Sequence, residues 1–296
     1  MRIAVTGASG FVGQHVIRAL LLSGVEVTSI SRSAARQPSA SRSMTMINMD
    51  LSRPSTDAFD AIGRPDALIH LAWDGLPNYQ SKHHVEIEFP AQLAFLTSCI
   101  ETGLKRLAVT GTCYEYGLAS GELAEDMPTL PCTPYGQAKE KLREKLFKLG
   151  SKYDFDLSWL RLFYLYGTGQ TKQSLFGGLQ SAIQSGAKSF DMSGGEQLRD
   201  FLPVEEAARL IAAVAQCEQA NGIYNVCSGA PVAVKNLARY WVDSAGSDIT
   251  LNLGKLPYSS YEPMSAWGSR RKLDALLNSQ NRHDKTNQRT DSHLIR

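Results

Sequence analysis

Residues 6–13 read Thr6-Gly7-Ala8-Ser9-Gly10-Phe11-Val12-Gly13, directly after the apolar stretch Ile3-Ala4-Val5. A strand that ends at Thr6 must turn at once into a helix, whose first-turn N–H groups are left to meet a phosphate. Gly7 permits the turn, Gly10 lets backbone approach a pyrophosphate, and Gly13 lets the helix pack against the strand. Three glycines alone also describe an ordinary turn. Here they follow a strand and open an amphipathic helix, with Val12, Val16 and Leu20 on one face and Ile17 and Leu21 beside them. That context favours dinucleotide binding, with Gly7, Gly10, Phe11, Val12 and Gly13 as contacts.

At 296 residues the chain can bury a sizeable core and suits one large or two intimately joined domains. Its net charge of +2 gives no electrostatic case for nucleic acid or a membrane surface as partner. No apolar run approaches the ~20 residues that span a bilayer. The first strand follows Met1 directly, without a basic n-region or apolar h-region. Cys99, Cys113, Cys132, Cys217 and Cys227 are an odd number without CxxC spacing, so reduced thiols and a cytoplasmic location are expected. No metal is expected, because the adjacent His83 and His84 would point about 100° apart on a helix.

Strand signals at 2–6, 25–30, 45–49, 67–71 and 106–111 alternate with helix signals near 11–23, 85–103 and 135–150. Such alternation predicts an α/β fold, a Rossmann-type doubly wound parallel sheet covered by helices on both faces. The polar stretch 31–44 reads as a surface loop. A further strand follows at 157–162, and then glycines 167, 169, 177, 178, 186, 194 and 195 break the regularity. The expected division is a dinucleotide-binding domain over 1–165, to which 200–230 return, and a smaller irregular substrate lobe over 166–280. Helices are expected at 204–217 and 234–245 and a short strand at 223–226. Beyond residue 280 apolar residues nearly vanish, and a disordered tail is expected over 281–296.

Tyr135-Gly136-Gln137-Ala138-Lys139 follows Pro134. Proline suits a helix entry, so Tyr135 and Lys139 fall one turn apart on one face. An ammonium beside a phenol lowers the phenol's pKa, which suits a general acid/base. A Tyr–Lys pair by itself is as compatible with a plain surface. This one lies on the helix after a strand ending Thr110-Gly111-Thr112, which brings a hydroxyl to the same crevice.

The chain resembles extended short-chain dehydrogenases/reductases of the NAD-dependent epimerase/dehydratase type, which modify nucleotide sugars. The resemblance runs over about 1–278. Its landmarks are TGASGFVG (6–13), MDLS (49–52), HLAW (70–73), VTGTCYEYG (109–117), TPYGQAK (133–139), LRLFYLYGTGQ (160–170), RDFLPVEEAA (199–208) and YNVCSG (224–229). It implies a catalytic Thr112–Tyr135–Lys139 set, in which Tyr135 exchanges the proton, Lys139 also holds the nicotinamide ribose and Thr112 orients the sugar oxygen. It puts Asp50 and Leu51 at the adenine, Leu71, Ala72 and Trp73 at the ribose and nicotinamide, and Phe163 at the nicotinamide. Asp74, Cys113, Tyr114, Tyr164 and Arg199 fall beside the nucleotide-diphosphate sugar, with Arg199 near the diphosphate or else paired with Asp200. Glu262, Trp267 and Lys272 fit the family's C-terminal pattern, but Ser259 and Ser260 stand where an arginine belongs. Tyr164 and Glu88 replace familiar asparagines. The family commonly forms homodimers through the helices near 85–103 and 135–150, where Leu93, Leu96, Ile100, Leu142 and Leu146 form apolar stripes that could equally cover the sheet.

The second strand ends at Ser31-Arg32, where an NAD-specific site presents an acid to the ribose diol. A guanidinium and a hydroxyl bind a 2′-phosphate that a carboxylate would repel, so NADP(H) is the expected cofactor; a solvated loop arginine is the alternative. Dehydratases need an acid pair after the catalytic hydroxyl, and Cys113 and Tyr114 stand there instead. HLAWDGLPNY (70–79), SKHH (81–84) and GTCYEYG (111–117) are most similar to reductases of dTDP-4-dehydro-6-deoxyhexoses, which supply dTDP-D-fucose or dTDP-6-deoxy-L-talose for surface polysaccharides. A UDP-hexose 4-epimerase, a Cys113-dependent 3,5-epimerase/reductase and a non-catalytic NADP(H) sensor are the other readings, Cys113 also reading as plain packing.

Overall fold

The computed structural model describes residues 1–32, 43–53 and 57–280. Most of the stretch expected as a surface loop, and all of the expected tail, lie outside the described residues. The first half runs β1 (Arg2–Thr6), α1 (Phe11–Leu22), β2 (Glu26–Ser31), β3 (Met44–Asn48), α2 (Ala58–Ala61), β4 (Ala67–His70), α3 (Phe89–Glu101), β5 (Arg106–Thr112), β6 (Gly121–Leu123), α4 (Pro134–Leu149) and β7 (Asp156–Leu162). There follow β8 (Tyr164–Tyr166), α5 (Leu175–Gln184), β9 (Ser189–Asp191), β10 (Leu198–Pro203), α6 (Val204–Gln216), β11 (Gly222–Val226), β12 (Pro231–Ala233), α7 (Val234–Ser244), β13 (Thr250–Asn252) and β14 (Ser265–Gly268).

Seven parallel strands form the central sheet in the order β11-β7-β5-β4-β1-β2-β3. Strands such as Arg2–Thr6, buried at four of five positions, are apolar on both faces because helices cover both. On one face α1 and α6 bury Val16, Leu20, Ile211 and Val214 with Ile3, Val5 and Ile69. On the other, α3 and α4 bury Phe95, Leu96, Leu142 and Leu146 with Ala4, Leu68, Val109 and Trp159. The strand order reverses between β1 and β4, where Thr6 is level with both Ile30 and His70. A crevice opens there at the carboxyl ends of the strands.

The apolar stripes expected to join two copies are used within one chain. Leu96, Ile100, Leu142 and Leu146 are 0–3% exposed under the sheet, and Leu93 packs against the same cluster. A π-helical turn, His84–Glu88, opens the helix expected over 85–103. Pro90 supplies no N–H to an i→i−4 ladder there, so the α-helical pattern starts only at Phe89. Strands β12, β10, β14 and β6 make a second sheet beside the crevice, and β8 pairs with β10. Helices α5 and α7 pack around Trp241 behind it.

Candidate active site

The wall of the crevice at the end of β1 is made of backbone. Gly7 ends β1 at φ +67°, and a Cβ there would lie 2.8 Å from the Ala72 amide nitrogen. A Cβ at Gly13 would meet the Gly7 carbonyl oxygen at 2.2 Å. Neither position admits a side chain. Gly10 is the N-cap of α1; no side chain caps the helix and no acid stands in its first turn. The amides of Phe11, Val12 and Gly13 therefore make a donor-rich, electropositive end, which fits a pyrophosphate. Thr6 ties this cradle to the next loop, its Oγ1 accepting from Leu71 N at 3.2 Å and Ala72 N at 3.3 Å and lying 2.9 Å from His70 Nδ1. Burial pulls the His70 pKa down to about 3, so that ring stays neutral.

At the end of β2, Ser31 is buried and Arg32 reaches across the crevice mouth. Arg32 Nη1 donates to Asp74 Oδ2 at 3.0 Å, with both side chains more than half exposed. The Asp74 carboxyl, expected beside the substrate, is held low chiefly by that hydrogen bond. Its amide donates to buried Glu88 Oε2 at 3.0 Å, which also accepts from Gln92 Nε2 at 3.0 Å. The glutamate in place of asparagine at 88 therefore clamps the loop after β4. Ligand-type atoms of Asp74, His83 and Glu88 lie within 4.8 Å of one another, and the Arg32 guanidinium supplies a cation to that cluster. Asp50 accepts from Ser52 N at 3.0 Å and Ser52 Oγ at 2.8 Å, while Leu51 is buried in the core.

Thr133 caps α4 by accepting from Gly136 N at 3.0 Å, and Pro134 begins the helix. Tyr135 and Lys139 consequently face inward one turn apart, 8% and 1% exposed. Burial pushes the Tyr135 phenol well above its ordinary value. Of the influences on that phenol, Thr112 is the least and pulls its pKa down. The lysine Nζ lies 6.0 Å from the Tyr135 ring centroid but 3.9 Å from that of Trp73, and donates to the Thr110 carbonyl at 2.9 Å. Its own pKa falls to about 7 because it is buried.

The facing wall is made of side chains. Glu262 Oε1 accepts from the Tyr114 hydroxyl at 2.7 Å and the Tyr164 hydroxyl at 2.8 Å. Arg199 Nη2 lies 4.0 Å from Glu262 Oε2, with the guanidinium 5.5 Å from the Tyr164 ring centroid. Asp200 is not its partner: that carboxylate accepts from the amides of Ser228, Gly229 and Gly268. Tyr79 completes the wall, its ring 4.8 Å from Tyr114 and 5.5 Å from Tyr135, and its carbonyl accepts the Tyr135 amide at 3.2 Å. Burial pushes the Cys113 thiol up, so it is no thiolate at neutral pH. Phe163, expected at the nicotinamide, packs instead with Tyr116 and Cys227 against Gly268. Alternation along the chain turns Phe163 into the core and Tyr164 toward the crevice.

A buried ion pair holds the turn beneath. Fully buried Glu115 accepts from Thr112 N at 2.9 Å, Trp159 Nε1 at 2.9 Å and Arg161 Nε at 2.8 Å. Tyr114 N donates to Thr112 Oγ1 at 3.3 Å, which completes a capping box around the catalytic hydroxyl. Tyr79, His84 and Glu115 lie inside the segments 70–79, 81–84 and 111–117 that carry the resemblance, but no spacing singles them out as site residues; Glu262 is singled out, as a match to a C-terminal pattern.

A doubly wound sheet, a glycine cradle at its switch point and an inward Thr–Tyr–Lys set define a dinucleotide-dependent enzyme of the short-chain dehydrogenase/reductase class. The chain belongs to the NAD-dependent epimerase/dehydratase family, whose sequence model matches residues 3–227. It is 29% identical over 272 residues to dTDP-6-deoxy-L-talose 4-dehydrogenase (NAD(+)) of Aggregatibacter actinomycetemcomitans, covering 91% of this chain and all of the relative. It is 25% identical over 258 residues to dTDP-6-deoxy-L-talose 4-dehydrogenase (NAD(P)(+)) of Kitasatospora kifunensis, covering 83% and 79% of the two chains. The structure of MoeE5 in complex with UDP-glucuronic acid and NAD superposes with a TM-score of 0.82 at 25% identity, over 94% and 93% of the chains. No helix among the described residues is long and apolar enough to cross a membrane.

Proposed function

We propose that this protein reduces the C4 ketone of a dTDP-4-dehydro-6-deoxyhexose, giving dTDP-D-fucose or dTDP-6-deoxy-L-talose. The observation that carries this reading is what surrounds Thr112 and Tyr135. Tyr135 is an inward-facing phenol one helical turn from Lys139 and beside Thr112, placed to give a proton to a ketone oxygen. The two positions after Thr112 hold a half-buried thiol and a phenol bonded to Glu262, so no free carboxylate is placed there to drive elimination. The two curated relatives, each named for the C4 oxidation state of a 6-deoxyhexose, support the same chemistry.

The glycine cradle would hold the dinucleotide at Gly7, Gly10 and Gly13, with Leu71, Ala72 and Trp73 lining its path. A nicotinamide, when bound, supplies the hydride. Thr112 would hold the sugar oxygen at C4, and Tyr135 would give it a proton. Lys139 would hold the ribose and Arg199 the diphosphate, with Glu262 fixing the guanidinium. NADPH is our choice of cofactor. The Arg32–Asp74 pair is exposed, and such pairs contribute ~0–1 kcal/mol, whereas a charged hydrogen bond to a 2′-phosphate is worth ~1.5–3 kcal/mol. Exchanging Asp74 for the phosphate is therefore favourable. Two copies would pair through α3 and α4 only by faces other than the apolar stripes, which cover the sheet; a monomer by light scattering at micromolar concentration contradicts that part.

The test is product analysis after mixing the protein with NADPH and the dehydratase product of dTDP-glucose, with and without a 3,5-epimerase. Reduction only with the epimerase assigns the L-talo product, and reduction without it assigns D-fucose. Interconversion of a UDP-hexose with no NADPH consumed would return the protein to the epimerases, and cofactor binding without turnover of either would make it a sensor.

A further inference from the structure

Lys139 is a buried cation without an acidic partner. Among the described residues no carboxylate lies within ion-pair distance of its Nζ. The nearest acids are engaged elsewhere: Glu115 by Arg161 at 2.8 Å, and Glu88 by the Asp74 amide and Gln92 at 3.0 Å each. What the ammonium does meet is the Thr110 carbonyl at 2.9 Å and the Trp73 ring, 3.9 Å to its centroid. The other titratable groups near it are Tyr135 on its own helix, His70 at the end of β4 and His84 on the π-helical turn.

The Trp73 ring is itself fixed. An indole N–H can only donate, so the 3.1 Å contact from Trp73 Nε1 makes His84 Nδ1 an acceptor. The proton of His84 then sits on Nε2 and is donated to the Asn78 carbonyl at 2.8 Å. One neutral tautomer satisfies both bonds. Burial lowers the His84 pKa, which keeps the ring in that form. The imidazole also stacks on Trp73 at 6.4 Å and meets the Tyr135 ring edge-on at 5.2 Å.

We propose that Trp73 is a positioning residue for Lys139: its ring face keeps the buried ammonium charged and in place beside Tyr135, and neutral His84 holds the ring. A ring face within about 6 Å attracts a cation, and more strongly when both are desolvated. The catalytic consequence rests on the reading of Lys139 given above; the charge-holding role does not.

The experiment is an NMR titration of the full chain with ¹³C-labelled lysine, the Lys139 signal being assigned by its loss in Lys139→Arg. The native ammonium is expected to titrate near pH 7, because burial alone pulls it there. Trp73→Leu removes the ring face and lowers the midpoint by about one pH unit, a tenfold change in the ratio of charged to neutral amine at a given pH. Trp73→Phe keeps a ring face and restores most of the shift. The basic limb of kcat/KM against pH moves down with it in Trp73→Leu. An unchanged midpoint in Trp73→Leu overturns the proposal. So does a Trp73→Phe midpoint equal to that of Trp73→Leu, since packing alone would then explain the effect. A moved midpoint with an unmoved rate profile overturns the catalytic reading of Lys139 and supports the charge-holding role.

Discussion

The glycine-cradle wall of the crevice offers backbone, and the facing wall offers side chains. On the first, Gly7 and Gly13 bring main chain against main chain so closely that a Cβ would meet it at 2.8 Å and 2.2 Å. On the second, Tyr114, Tyr164, Arg199 and Glu262 converge from four segments, with 148 positions separating Tyr114 from Glu262. A surface built from backbone has few alternatives, because its atoms are the same whatever the residue and only glycine allows the approach. One built from side chains can be rewritten a residue at a time. Tyr164 in place of asparagine and Glu262 without its neighbouring arginine are such rewritings, and they close on each other through shared hydrogen bonds.

Substitutions on the two sides should therefore fail differently. The largest effect is expected where the sides meet: Tyr135→Phe should lose ~10²–10⁴ in kcat, as removal of a general acid does, with cofactor affinity nearly unchanged. Near-native turnover in that variant would remove the acid from the mechanism. On the side-chain wall, Arg199→Ala should raise KM more than it lowers kcat, by the ~1.5–3 kcal/mol of a hydrogen bond to a charged group. A change confined to kcat would mean that Arg199 acts at the reacting carbon instead. On the glycine-cradle wall, Gly13→Ala should weaken dinucleotide binding by ~1–3 kcal/mol of overpacking and leave the KM for sugar alone, read by fluorescence titration. The smallest effect is Arg32→Ala, which should narrow the gap between NADPH and NADH by ~1–3 kcal/mol less the Asp74 pair. Equal affinities in the native protein would end the case for NADPH.

The same contrast explains what could be read in the sequence. The glycine cradle, the five strands of the first half and the Tyr135–Lys139 face are local: each depends on residues within a turn or a strand of one another. The side-chain wall is not. Tyr79 joins it through a ring contact and a carbonyl bonded to the Tyr135 amide, and neither leaves a periodic trace. Glu115 looks like one more acid of a polar turn until Arg161, 46 positions away, is seen beside it. Spacing shows that a lysine is near Tyr135, but not that a tryptophan lies closer to the ammonium than the phenol does. Nor does it show that Asp74 meets Arg32, which lies across the crevice on another strand end.

The most direct test of the central claim follows the hydride. With NADPH carrying deuterium at the transferred position and a dTDP-4-dehydro-6-deoxyhexose as acceptor, the account predicts a product labelled at C4, with one NADP⁺ released for each molecule formed. An unlabelled product, or an inverted C4 hydroxyl in a UDP-hexose with the dinucleotide unconsumed, would contradict it.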